Sequence, residues 1–357
     1  MKAWVLRGIG DISMEIVKKP ELEEGEVLIA VKAAGICGSD IPRIYRTGAY
    51  SYPLIPGHEF SGVVEMEKTG RMADADREMK EWLGQRVCVF PLIPCGNCIP
   101  CGAKQYEMCR SYSYLGSRKN GGFAEYVAVP AKNLLRIPDS VSFEEAAMLE
   151  PMAVAVHAMR RVEWSFSDKI VVCGLGTIGL LLVMFLREAG AKNLFVVGNK
   201  EFQRQQILHM GLGEDSYCDG RSKDVASWIL ENTDGAGADV FFECVGKNET
   251  CALAVNSAAP CGRICLVGNP YSDMMLEKAV YWKILRNQLT VTGTWNSSFT
   301  GDVSDEWHYV MERLAQKKIH PAELISHRLA FERLDQGLLM MRDKKEDYCK
   351  VMGVWDN

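Results

Sequence analysis

KIVVCGLGTIG, residues Lys169–Gly179, runs an apolar strand straight into six residues spaced G-x-G-x-x-G. Alone that spacing is a weak signal. Placed between a strand and the start of a helix it has a mechanical reading. Gly174 permits the tight turn, Gly176 lets a pyrophosphate approach the backbone, and Gly179 lets the helix pack closely on the strand. The helix start, at Thr177 and Ile178, then favours anionic phosphates through its backbone amides and dipole.

Working outward, Thr177–Ala189 carries the apolar pattern of a helix and Asn193–Val197 that of a second strand. Asp239–Cys244 and Arg263–Val267 repeat the strand signal. Strands alternating with helices predict a parallel sheet covered on both faces. Residues 153–290 therefore read as a doubly wound α/β domain of the Rossmann type that holds a dinucleotide. An NAD site places an acid at the end of the second strand to bond the ribose. Here that strand ends Val197-Gly198-Asn199-Lys200, with glycine where the acid is expected. Without a carboxylate to repel it, a 2′-phosphate is admissible, and Lys200 with Arg204 offers positive charge. The expectation is NADP in preference to NAD.

Residues 1–152 differ in texture, with short β-like runs at Val27–Val31, Gly62–Met66, Val87–Phe90 and Ala124–Val129 among Gly and Pro turns. They predict a mostly β domain. Residues 291–357 are of mixed character and are expected to fold back on it. Glu65–Arg86 is dense in charge and reads as a solvated surface excursion.

The chain has 357 residues, 48% hydrophobic and 24% charged, enough for two domains with real cores. A net charge of −5 gives no general attraction to nucleic acid or to an anionic membrane. No apolar run approaches the length of a transmembrane helix, and the first residues lack the pattern of a secretory signal. Thirteen cysteines, an odd number, are at odds with an oxidising compartment, so a reducing cytoplasm is expected. Cys173, Cys244 and Cys265 sit in apolar runs and read as small buried hydrophobes.

Four cysteines are crowded together. Cys95, Cys98, Cys101 and Cys109 form C-x2-C-x2-C-x7-C, with Pro94, Gly96, Pro100 and Gly102 supplying turns. Four thiolates around one ion make a closed, structural zinc site. A ferredoxin motif would continue x3-Cys-Pro after the third cysteine, whereas the gap here is seven and Arg110 follows. A second group is spread wider. Cys37 (in AAGICGSD), His58 (in PGHEF) and Glu150 (in MLEPMAVAVHA) offer one thiolate, one imidazole and one carboxylate. Three ligands with a fourth position open is the catalytic form of a zinc site. Asp40 is placed to hold the His58 imidazole, and Glu59 either ligates directly or exchanges with Glu150.

GICGSD (Gly35–Asp40), GHEFSGVV (Gly57–Val64), the four-cysteine lobe, LEPMAVAVHA (Leu149–Ala158) and GLGTIG (Gly174–Gly179), in that order, resemble the medium-chain zinc alcohol/polyol dehydrogenase family. The resemblance covers essentially the whole chain. It implies a GroES-like catalytic domain beside the nucleotide domain, two zinc ions per chain, and oxidation of a secondary alcohol with NAD or NADP. Glu150 followed by Pro151 resembles the polyol branch. SDIPRIYRTGAYSYP (Ser39–Pro53), PLIPCGNCIPC (Pro91–Cys101), GSRKNGGFAEY (Gly116–Tyr126) and KILRNQLTVTGTW (Lys283–Trp295) are similar to members that act on galactitol 1-phosphate, which implies a polyol-phosphate substrate. Those members carry the ribose acid that Gly198 replaces. Ser39 resembles the family's proton-relay hydroxyl. Arg43 stands where sorbitol dehydrogenases place tyrosine, and with Arg46, Arg118 and Lys119 it is a candidate for the substrate phosphate. Tyr50 and Trp295 are candidates for lining the substrate site. The family implies a homodimer or homotetramer, joined through strand edges around Arg263–Asn269 and Leu289–Gly293.

The competing enzymatic reading is a free-polyol or threonine-type dehydrogenase with the same zinc and nucleotide sites. A non-catalytic NADP-sensing protein is the reading from another class; it has no need of Cys37, His58 and Glu150 together. A nucleic-acid binder built on the zinc lobe is disfavoured by the charge.

Overall fold

The computed structural model describes residues 1–67, 81–270 and 272–355. Most of the charged stretch read as a surface excursion, residues 68–80, lies outside them. The chain divides into two compact units, Met1–Glu150 with Ser298–Asn357, and Pro151–Ser297.

In the first unit, β1 (Lys2–Gly8) and β2 (Asp11–Ile16) form a hairpin absent from the sequence reading. Ala3 to Leu6 are buried consecutively, so β1 shows no two-residue alternation to betray it. The Trp4 indole is fixed by a 2.9 Å bond from Nε1 to the Phe331 carbonyl. β3 (Glu26–Ile36) is the axis of the unit. Its run EVLIAVKAAGI is buried at every position but Lys32, as expected of a strand covered on both faces. It pairs with β4 (Glu59–Glu67), which continues to β5 (Arg86–Val89). After β6 (Leu92–Ile93) and β7 (Ser113–Tyr114), which pair with each other, β8 (Tyr126–Pro130) returns to β3 and β9 (Leu134–Arg136) to β5. Ser142 and Glu145 then close a capping box at the helix Phe143–Ala147, and the helix Leu149–Arg160 begins beyond it.

The second unit follows the alternation read from the sequence. Its strands are β10 (Lys169–Cys173), β11 (Asn193–Gly198), β12 (Tyr217–Asp219), β13 (Ala238–Glu243), β14 (Ala258–Leu266) and β15 (Thr290–Gly293). They form one sheet, all pairs parallel, in the order β12-β11-β10-β13-β14-β15. The order reverses beside β10, and an open sheet of this kind binds its ligand outside the strand ends at such a switch point. The G-x-G-x-x-G turn leaves β10 there and enters the helix Thr177–Glu188. Cys173 and Cys265 are buried among apolar neighbours and Cys244 is partly exposed.

The chain then returns to the first unit. β16 (Ile325–Ala330) pairs with β17 (Lys350–Val354), and β17 lies antiparallel on β3, with Val351 opposite Ile36. The last strand thus lays its first residue, Lys350, beside the end of β3.

Candidate metal and nucleotide sites

Three ligand atoms converge in the first unit. Those of Cys37, His58 and Glu59 all lie within 4.8 Å of one another. Cys37 follows the end of β3, His58 precedes β4, and Glu59 opens β4 opposite Gly35. The close approach depends on Gly35, because a Cβ there would stand 2.3 Å from Glu59 Oε2.

Asp40 lies beneath this group and is fully buried. One of its oxygens accepts from the Cys37 amide (3.0 Å) and the other from the Arg43 guanidinium (2.9 Å). That second oxygen stands 3.5 Å from His58 Nδ1, an ion-pair distance rather than a hydrogen bond. Burial opposes charge on Asp40, yet His58 and Arg43 outweigh it and hold the carboxyl below its usual range. Burial likewise opposes charge on His58, but Asp40 and Cys37 prevail and raise its pKa well above the ordinary value. Arg43, read from sequence as a phosphate candidate, therefore has its partner inside the protein.

Glu150 stands in the first turn of the helix Leu149–Arg160 and is 7% exposed. It does not share the 4.8 Å cluster. Its Oε1 accepts from the Tyr114 hydroxyl at 3.1 Å, and the Tyr114 ring meets His58 edge-on with centroids 5.7 Å apart. Burial first, with the Glu59 charge adding, pushes Glu150 up to about 7. Burial and Glu150 raise Tyr114, so its hydroxyl stays a donor. Ser39 Oγ donates to Cys37 Sγ at 3.3 Å.

The sequence reading missed Lys350. This lysine is 2% exposed, and its ammonium meets Glu59 Oε2 at 2.6 Å and the Ile36 carbonyl at 3.4 Å. Burial lowers a lysine's pKa, but Glu59 and Cys37 reverse the shift and keep it raised. The pair is 291 residues apart in the chain, so no local pattern could reveal it.

The donor set suits zinc: one sulfur, one imidazole nitrogen and carboxylate oxygens. The four-cysteine group suits it as well. Cys98 and Cys101 sulfurs are 3.4 Å apart, Cys98 and Cys109 3.9 Å, Cys95 and Cys101 4.0 Å. Thiolates about 2.3 Å from a tetrahedral zinc stand ~3.8 Å apart. All thirteen cysteines are free thiols. Backbone hydrogen bonds from Arg110 and Cys101 lower Cys98 to about 6, while burial raises Cys101 to about 12.

Of the other candidates in this unit, Arg118 lies over the Tyr50 ring (4.4 Å) and the Tyr112 ring (4.5 Å), and donates to the Tyr112 carbonyl at 3.0 Å. Tyr50 is 74% exposed. Lys119 pairs with Glu26 at 3.4 Å. Trp295 belongs to the other unit and is half-exposed.

That second unit contains a cavity of about 630 Å³ at the switch point, lined by Gly174, Gly176, Gly198 and Asn199 among others. Gly174 has φ +100°. A Cβ on Gly179 would lie 1.9 Å from the Gly174 carbonyl oxygen, whereas one on Gly176 would meet nothing within 4 Å. The turn is therefore tight where strand meets helix and open where a phosphate must approach, as a dinucleotide requires. Thr177 and Ile178 begin the helix behind it without lining the cavity. Lys200 and Arg204 do not line it either; Arg204 is engaged by Glu201 (2.7 Å) and Glu214 (2.8 Å).

Residues 23–139 match the alcohol dehydrogenase GroES-like domain, and residues 177–316 match the zinc-binding dehydrogenase model. The galactitol 1-phosphate 5-dehydrogenase of Escherichia coli (strain K12) is 32% identical over 320 residues, 89% of this chain and 90% of that one. A crystal structure of galactitol-1-phosphate dehydrogenase from Escherichia coli superposes with a TM-score of 0.88 at 30% identity, covering 99% of this chain and 100% of that one. Two further structures, each at 27% identity and TM-score 0.87, carry different nucleotides: a protein of Sinorhizobium meliloti 1021 bound to NADP (99% and 98% covered) and RspB of Escherichia coli CFT073 with NADH (99% and 99%).

Proposed function

The chain belongs to the zinc-dependent medium-chain alcohol and polyol dehydrogenases, and from that premise we propose that it oxidises a secondary alcohol of a polyol phosphate, galactitol 1-phosphate being the model substrate, to the keto sugar with NADP. The observation that carries the reading is the convergence of Cys37, His58 and Glu59, with the buried Glu150 close enough to feel the charges of His58 and Glu59.

Cys37 and His58 would hold the catalytic zinc, with Glu59 or Glu150 as the third ligand. When bound, zinc acidifies the substrate hydroxyl and the nicotinamide accepts the hydride. The chain's own residues do the rest. Asp40, held by Arg43, sets the His58 ring. Lys350 restrains Glu59 and Tyr114 restrains Glu150, so each carboxylate has a resting partner other than metal. Ser39, within reach of Cys37, is the hydroxyl through which the substrate proton leaves. Cys95, Cys98, Cys101 and Cys109 would hold a second, structural zinc. Arg118, its guanidinium against the rings of Tyr50 and Tyr112, is the candidate for the substrate phosphate. The glycine turn and the end of β11 would hold the dinucleotide.

Among the described residues no helix is long and apolar enough to cross a membrane, and a reducing cytoplasm completes the reading of thirteen cysteines outside disulfides. For assembly we infer a homodimer or a homotetramer built on it, joined at β15. Among the described residues that strand pairs only with β14, its Val291 is 41% exposed, and Tyr281, Trp282 and Leu285 of the helix Lys278–Arg286 each expose more than half their surface. An open edge next to exposed aromatics calls for a cover.

Initial rates on galactitol 1-phosphate and on galactitol, each with NADP and with NAD, test the substrate. A clearly higher kcat/KM for the phosphorylated sugar is expected. Equal rates, or activity on free polyols alone, would move the substrate to the sorbitol-like branch and return Arg118 to the surface.

A further inference from the structure

The cavity of the second unit has one cation at the end where the ribose is expected, and it is neither of those the sequence suggested. β12 lies beside β11 with Asp219 opposite Gly198, and the Gly220 amide donates to the Gly198 carbonyl at 2.9 Å. Arg221 follows immediately and lines the cavity with Gly198 and Asn199. Asp219 holds its guanidinium through two contacts, Nε to Oδ1 at 3.0 Å and Nη2 to Oδ2 at 2.6 Å. The arginine is thus oriented at the rim by a residue that does not itself line the cavity.

The position of the missing acid is also filled. A Cβ on Gly198 would stand 2.8 Å from Gln203 Oε1 and 2.9 Å from the Tyr217 ring and hydroxyl. Gln203 is held there by the Asn199 amide (2.9 Å) and Tyr217 by the Lys200 carbonyl (3.1 Å). A carboxylate that would bond a 2′-hydroxyl would have to displace the Gln203 amide and the Tyr217 ring from this position. Of the acids lining the cavity, Asp224 is occupied as a helix cap, accepting from Ala226 N (3.2 Å) and Ser227 Oγ (2.6 Å). Glu249 lies with Lys247, the other lining cation, at the start of the helix after β13.

We propose that Arg221 receives the 2′-phosphate of NADP and sets the preference over NAD. The proposal rests on the nucleotide site inferred above and assigns its specificity to a named residue. A guanidinium presents paired donors to a phosphate, and an arginine near the ribose accommodates the extra group; here it comes from the strand beside β11.

The experiment is titration calorimetry on the zinc-loaded protein with NADP and with NAD, for the unmodified chain, Arg221→Ala, Arg221→Lys and Lys200→Ala. The unmodified protein should bind NADP about ten- to a hundred-fold more tightly than NAD. Arg221→Ala should lose most of that ratio through weaker NADP binding, with the Kd for NAD nearly unchanged. Arg221→Lys should restore part of it, and Lys200→Ala should keep it. An Arg221→Ala protein that retains the full ratio, or a ratio lost in Lys200→Ala instead, overturns the assignment while leaving the NADP reading intact. No preference for NADP in the unmodified protein overturns both. Binding of neither nucleotide would remove the site itself.

Discussion

Lys350 pairs with a carboxylate of the proposed metal site without itself being a candidate ligand. Its ammonium and the Glu59 carboxylate are both almost wholly excluded from water. A buried pair gains little over an apolar replacement, but breaking it strands a charge at a cost of about 3–5 kcal/mol. Thermal melts of metal-free protein should therefore show Lys350→Met strongly destabilised, and the double variant Glu59→Gln/Lys350→Met recovering most of the loss. A single variant as stable as the parent would mean that Glu59 has another partner. Legibility at this scale followed chain distance. Cys95 to Cys109 declare themselves by spacing. Cys37, His58 and Glu150 are far apart, and resemblance rather than spacing linked them. Lys350 and Arg221 carried no sign at all, because each acquires its role from a strand pairing: β17 on β3 for one, β12 on β11 for the other. Lys200 and Arg204 were attractive by proximity in sequence, but Arg204 turns to Glu201 and Glu214.

At the scale of elements, the strand–turn–helix around Gly174 was read with β10 placed at the residues it occupies, because apolar run, glycines and helix pattern agree there. Its tightness yields a prediction. With Gly179→Ala the new Cβ must force the Gly174 carbonyl away, so NADP binding should fall by about ten-fold or more while the zinc content stays at the parent value. Unchanged binding would show that the turn relaxes freely. The cysteine lobe gives the complementary case. Cys98→Ser should release one zinc per chain and lower the Tm, since a closed zinc site contributes folding energy directly. Retention of both ions would remove Cys98 from the ligand set. Elements lacking periodicity were harder to see: β1 is buried without alternation, and β12 is three residues long.

For the whole molecule, irregular β and alternating strand and helix are each the surface pattern of one kind of layer; the compact units divide at Glu150 and Ser297, so the nucleotide unit runs past residue 290, where the sequence pattern ended it, and takes in all of β15. Assembly is expected to use the exposed edge of the nucleotide unit. Sedimentation of the parent should give a dimer or tetramer, and Val291→Lys, which puts a charge on that edge, should shift it towards monomer. A parent that sediments as a monomer would overturn the assembly.

The central claim is that the group at Cys37, His58 and the glutamates holds the zinc that does the chemistry, and the lobe holds one that does not. Metal analysis with turnover on Cys37→Ser, using the better of galactitol 1-phosphate and galactitol, tests it most directly. The account predicts two zinc ions per chain in the parent, one in the variant, and turnover lower by about a thousand-fold or more with NADP binding preserved. A Cys37→Ser protein that has lost one zinc and still turns over at the parent rate would contradict it.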